Sequence, residues 1–233
     1  MEIVVDIETI PDQTPGAVDK IAEDLVVKAP DLTKPKLIEA LDLGADGKYK
    51  TVPELKEMWL EEFGKDAKLK QAKDKWLKTS FDGGYGEICC IGISGMIFTT
   101  KGSDERSMLT QFWESVDASL SGRFPFFIAH NAKFDLPFIY HRSVINGVKP
   151  VRGFNPHGRH DQDHYCTMEG WAGFNGKIGL DRLAKILGIT GKEGMSGADV
   201  WPEYEKGNLA GIAEYCQDDV RITSEIYNKL KFK

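Results

Sequence analysis

The order of apolar runs along these 233 residues predicts an α/β fold, a mixed β-sheet flanked by helices with a largely helical insertion after the first strand. Three observations lead there. Residues 2–7 are nearly all apolar, as a central strand covered on both faces would be. The β-rich runs 87–94, 96–100 and 125–129 are followed by amphipathic stretches with helical spacing. Residues 12–86 interrupt that alternation with a different composition. A single domain carrying an insertion at about 12–86 is expected.

Gly95 separates the runs 87–94 and 96–100, as a meander pair or one long bent strand would require. Ser103-Asp104-Glu105-Arg106 then supplies a capping signal, and Met108, Leu109, Phe112, Trp113 and Val116 follow at helical spacing. A short buried strand at 125–129 leads to a helix at 136–145 that stops near Asn146-Gly147. An irregular segment comes next, then a compact helix at 180–188 ending on Gly188. The last helix spans 209–230, with Ile212, Tyr215, Cys216, Val220, Ile222, Ile226 and Leu230 on its apolar side.

Within the insertion, 30–47 is rich in Pro, Gly and Asp, and 52–63 and 65–77 each look helical. Lys65, Lys68, Lys70, Lys73, Lys75 and Lys78 face only Asp66 and Asp74. A solvated helix face and a phosphate-contacting arm both account for that excess.

The bulk properties exclude some classes. No apolar run is long enough to span a bilayer, and the first residues lack a signal-peptide pattern, so a cytoplasmic protein with no membrane partner is expected. A net charge of −6 argues against gripping long duplex nucleic acid through a basic surface. It leaves room for an enzyme that holds a few nucleotides at a strand end, with metal ions neutralising the phosphates. Cys89, Cys90, Cys166 and Cys216 show no zinc-type spacing and read as free buried thiols. Cys89 and Cys90, adjacent in a strand, are expected on opposite faces.

Three short motifs carry the chemistry. Asp6-Ile7-Glu8 puts two carboxylates on one face of an otherwise apolar strand, and a hard divalent cation would relieve the cost of burying them. His130-Asn131-Ala132-Lys133-Phe134-Asp135 follows a buried strand and opens a helix, with Asp135 in its first turn. Taken alone, Asp135 could serve only the helix dipole, Asn131 the cap, and His130 the strand end. Tyr215 and Asp219 are four apart and share a face of the last helix, whereas Asp218 lies off that row and is expected in solvent.

In this order, on these elements, the motifs resemble the DEDD superfamily of 3′→5′ exonucleases, which have a ribonuclease H-like fold. They resemble its tyrosine branch more narrowly, because the histidine branch would place His where Glu214 stands. Lys192 to Tyr204, with Met195 to Trp201 inside it, and Ile212 to Cys216 also look like stand-alone family-B-polymerase-like exonucleases of phages and prophages. The resemblance covers 2–16 and about 86–230. It implies that Asp6, Glu8 and Asp219 hold one metal and that Asp6 and Asp135 complete a second, the two being Mg²⁺ or Mn²⁺. Tyr215 would orient the attacking water. Thr9 and Ile10 would frame the terminal nucleotide, with Asn131 and Phe134 assisting. The implied substrate is a DNA 3′ end, single-stranded or frayed, trimmed to nucleoside 5′-monophosphates, with replication or recombination proteins as partners in trans. An exoribonuclease and a binding module without catalysis are the alternatives.

The sequence departs from that pattern in one place. His160-Asp161-Gln162-Asp163-His164-Tyr165-Cys166-Thr167-Met168 stands where relatives carry Asp-Thr-Met, with Cys166 in the Asp position. The carboxylate set is complete without these residues, so a structural or loop role is expected for them.

Overall fold

Five strands form one sheet: β1 (Glu2–Ile10), β2 (Glu87–Ile93), β3 (Met96–Thr99), β4 (Phe126–Ala129) and β5 (His164–Cys166), in the spatial order β3-β2-β1-β4-β5. β1 pairs antiparallel with β2 and parallel with β4, so the sheet is mixed and its longest apolar strand lies at the centre. The arrangement is the ribonuclease H-like α/β fold expected above. The computed structural model describes residues 1–100, 102–191 and 194–233. Lys192, part of the run compared with phage exonucleases, lies outside the described residues.

The chain divides into two compact units, residues 1–11 with 79–233 and residues 12–78. The first holds the sheet and six helices: α4 (Glu105–Leu120), α5 (Ala132–Ile145), α6 (Thr167–Ala172), α7 (Leu180–Ile186), α8 (Val200–Glu205) and α9 (Leu209–Leu230) among its described residues. The second holds α1 (Ala17–Glu23), α2 (Lys34–Ala40) and α3 (Val52–Leu77), with Leu37 and Leu55 fully buried.

Alternation along β1 sorts the core into two layers. Ile3, Val5 and Ile7 join Ile88, Phe112, Trp113, Leu136 and Ile139 on the α4/α5 side. Val4 packs with Val220 and Tyr227 of α9 on the other. A buried ion pair fixes α4 to α5. Glu105 accepts from Arg142 Nη2 at 2.6 Å, Asn146 Nδ2 at 2.8 Å and the Ile88 N–H at 2.7 Å. The carboxylate's contacts thus come from two segments, α5 with its C-cap and β2, which offsets the cost of burying it.

Four expectations need correction. The two helices foreseen at 52–63 and 65–77 are one 26-residue helix, α3, opened by a Thr51–Glu54 capping box. Gly64 costs a helix interior only about 1 kcal/mol, too little to break a run of good helix formers. The segment taken as irregular contains β5 and α6; a three-residue strand at a sheet edge leaves no periodic signal. α5 begins at Ala132 rather than 136, with Pro137 inside it. Cys89 and Cys90 share one apolar cluster with Ile212 and Cys216 instead of facing opposite ways. The cause is a β-bulge: Glu8 pairs with Cys90 and Thr9 with Ile88, so Cys89 has no partner in β1. All four cysteines are free and buried.

Candidate active site

The site is built on the second half of β1. Asp6 and Glu8 continue the face begun by Val4, the face that α9 covers. The bulge falls at Glu8/Thr9, and the extra residue, Cys89, donates its thiol to the Glu8 carbonyl at 3.4 Å. Bulges twist a strand locally and re-aim its side chains. Here the twist comes at the second of the two acids.

α5 supplies the third acid. Parallel pairing of β1 with β4 ends at Val4 with Ile128, and the Ile7 N–H beyond it is taken by the carboxylate of Asp135. Asp135 is buried in the first turn of its helix, where the dipole also favours a negative group. Asn131 occupies the N-cap position without a side-chain bond, and its side chain is exposed.

α9 supplies the fourth acid and the phenol. Tyr215 is half-buried and Asp219 buried, one turn apart. Between them Cys216 packs under the helix and donates its thiol to the Asp6 carbonyl at 3.6 Å. Ligand atoms of Asp6, Glu8 and Cys216 lie within 4.8 Å of one another.

The electrostatics show what the cluster lacks. Asp6 Oδ2 is buried with no hydrogen-bond partner among the described residues. Burial raises the Asp6 pKa well above the carboxylate range, and Glu8, Asp135 and Asp219 push it the same way. Burial also raises Asp135, to about 7, against the pull of backbone hydrogen bonds from its own N–H and that of Ile7. Tyr215 is raised as well, first by burial and then by Asp219, Glu8 and Asp6, so its phenol keeps its proton. A buried carboxylate group this crowded wants positive charge. Oxygen ligands of this kind suit a hard divalent cation, and the orphaned Asp6 oxygen is an open acceptor for one.

Other expected residues lie outside the cluster. The Thr9 hydroxyl donates to the Ser80 carbonyl at 2.7 Å, and Ile10 is 1 % exposed within the Cys89/Cys90 cluster. Phe134 packs on Phe138 with ring centroids 5.4 Å apart. His130 is held at both nitrogens, by Thr167 Oγ1 and the Ile178 carbonyl, each at 2.9 Å. Cys166 accepts the Glu169 N–H at 3.5 Å and so caps α6. Sequence reasoning missed Cys216 and Cys89, whose thiols brace the two β1 acids, and Asp181 of α7, whose charge also raises Tyr215. Nothing in the spacing of these residues sets them apart from core thiols and a first-turn acid. Beside Tyr215 a groove of about 470 Å³ is lined by Glu214, Asp218, Asp199 and Glu203. Its acids make it a poor path for a phosphate backbone.

A family model described as a predicted 3′-5′ exonuclease related to the exonuclease domain of PolB matches residues 90–233. The chain belongs to that family. The matched span includes Asp135, Tyr215 and Asp219, while Asp6 and Glu8 precede it. No curated protein matches the chain. The protein is therefore a PolB-like 3′-5′ exonuclease, a nuclease whose substrate is nucleic acid. No helix of the described residues is long and apolar enough to cross a membrane.

Proposed function

We propose that this PolB-like exonuclease degrades DNA from its 3′ end, at single-stranded or frayed termini, releasing nucleoside 5′-monophosphates with the help of two divalent metal ions. The observation that carries the reading is the convergence of Asp6, Glu8, Asp135 and Asp219, from three separate elements, around an Asp6 oxygen without a partner. Asp6, Glu8 and Asp219 would hold one Mg²⁺ or Mn²⁺, and Asp6 with Asp135 the other. Bound there, the ions would supply Lewis-acid stabilisation of the attacking and leaving oxygens.

The chain's own groups do the positioning. The Ile7 N–H donates to the Asp135 carboxylate, and the Cys216 thiol donates to the Asp6 carbonyl, so both acids are anchored through β1. Tyr215, kept protonated by burial and by its acidic neighbours, is a donor and not a base, and it orients the attacking water through its hydroxyl. This protonated phenol on the Asp219 row supports assignment to the tyrosine branch of the DEDD superfamily. DNA is favoured over RNA by the relation to the PolB exonuclease domain.

Matched 5′-labelled DNA and RNA oligonucleotides, incubated with Mg²⁺ or Mn²⁺ and with EDTA, test the proposal. DNA shortening from the 3′ end, abolished by EDTA, is the expected result. Faster loss of RNA overturns the substrate assignment, and activity indifferent to EDTA overturns the metal dependence.

A further inference from the structure

At the β5 edge of the sheet, apart from the four carboxylates, a second set of ligating groups converges. His160, His164 and Glu169 each bring a nitrogen or oxygen within 4.8 Å of the other two. They come from the turn before β5, the first residue of β5 and the first turn of α6. His164 is only 5 % exposed, yet neither Nδ1 nor Nε2 has a hydrogen-bond partner among the described residues. A buried imidazole with both nitrogens unsatisfied is a costly arrangement unless something else takes a lone pair.

The other two groups have one partner each from the surroundings of the groove. Glu169 accepts from Lys133 Nζ at 2.8 Å, and the Lys133 side chain is 49 % exposed, its ammonium 4.3 Å over the Phe174 ring. His160 Nδ1 accepts the Cys166 N–H at 3.1 Å, which places the proton of the neutral ring on Nε2. Ligation through His160 Nδ1 exchanges that single hydrogen bond for a metal bond. A groove of about 490 Å³, lined also by His157, Arg159 and Phe174, opens onto the three side chains.

We propose that His160, His164 and Glu169 bind a zinc-type divalent ion through two imidazole nitrogens and one carboxylate, with a further position open to the groove. Two nitrogen donors distinguish this set from the carboxylates of Asp6, Glu8, Asp135 and Asp219, and select Zn²⁺ or Co²⁺ over Mg²⁺. Three protein ligands and one open position make a complete zinc-type set. The ion ties the turn before β5 to α6 across the shortest strand of the sheet. The site stands independently of the nuclease reading.

The test is a Co²⁺ titration of the EDTA-stripped full chain in excess Mg²⁺, read by visible absorption and followed by Zn²⁺ competition. One equivalent of Co²⁺ is expected, with a visible spectrum that Zn²⁺ erases. His160→Ala and Glu169→Gln, checked for folding by circular dichroism, are expected to weaken binding at least ~100-fold, because even outer-shell partners contribute about 10–100-fold. Asp6→Asn is expected to bind as the wild type does. No visible spectrum in the wild type, unchanged binding in both His160→Ala and Glu169→Gln, or binding lost only in Asp6→Asn would each overturn the proposal.

Discussion

The Cys216 thiol donates to the carbonyl oxygen of Asp6 at 3.6 Å, joining positions 210 residues apart and seating α9 on β1. The same contact sets how far Tyr215 and Asp219 stand from Asp6 and Glu8. Gly92 of β2 makes it possible: a Cβ there would come 2.9 Å from Cys216 Sγ and 2.9 Å from Val220 Cγ2. Gly92→Ala must push α9 outward. It is expected to lower stability by about 1–3 kcal/mol, the usual range for overpacking, and to reduce kcat/KM of the folded enzyme. Urea unfolding and exonuclease assays check this; full activity would show that the seating of α9 does not position Asp219.

Removing Asp6 should separate charge from catalysis. Asp6→Asn deletes one of four crowded acids, so in EDTA the variant is expected to be at least as stable as the wild type. Its activity should fall at least about 100-fold, since several kcal/mol of transition-state stabilisation depends on bound metal. Thermal melts with and without Mn²⁺ make the comparison. A large Mn²⁺ stabilisation that survives in the variant would sink the assignment of Asp6 as a ligand.

The metal-free protein should lose stability as pH rises. Asp135 has its folded pKa raised to about 7 from an unfolded value of 3.8. Between those values the folded state holds protons that the unfolded state has released, so the slope of stability against pH is negative. Asp6, also raised, adds in the same direction. Melting temperatures in EDTA should therefore decline from about pH 4 to about pH 7 relative to those in Mg²⁺. The difference between the two curves isolates the cluster from the rest of the titration, and a difference that is flat would count against a buried cluster.

Tyr215→Phe keeps the ring and removes the donor. A hydrogen bond to a charged group contributes about 1.5–3 kcal/mol, so a loss of kcat of about 10- to 100-fold is expected. Metal affinity should be unchanged. Because burial and acidic neighbours raise the Tyr215 pKa, the pH–rate profile of the wild type should show no limb that Tyr215→Phe removes. Such a limb, present in one and absent in the other, would mean that Tyr215 acts as a base.

Glu105→Ala tests a residue with no part in the chemistry. It leaves Arg142 buried without its carboxylate and the Ile88 N–H without its acceptor. A stability loss of about 3–5 kcal/mol is expected from denaturant unfolding. A loss below about 1 kcal/mol would place the pair among weak surface bridges.

The sequence by itself determined the elements whose signals are local. The apolar run of β1, the interruption of the β-rich run at Gly95, the capped start of α4 and the long periodic helix α9 all carry patterns set by near neighbours. The same holds for Asp6 with Glu8, and for Tyr215 with Asp219, because period-two and i,i+4 spacing put each pair on one face. Only the tertiary structure decided the rest. The bulge that turns Cys89 and Cys90 to one side depends on register with β1, and β5 exists only because β4 offers it an edge. His164 shows no special environment in sequence; its two unsatisfied nitrogens arise from burial against distant segments. The four acids sharpen the same point. Each was legible as a local motif, but their raised pKa values and the orphaned Asp6 oxygen come from being buried together, and burial is a property of packing.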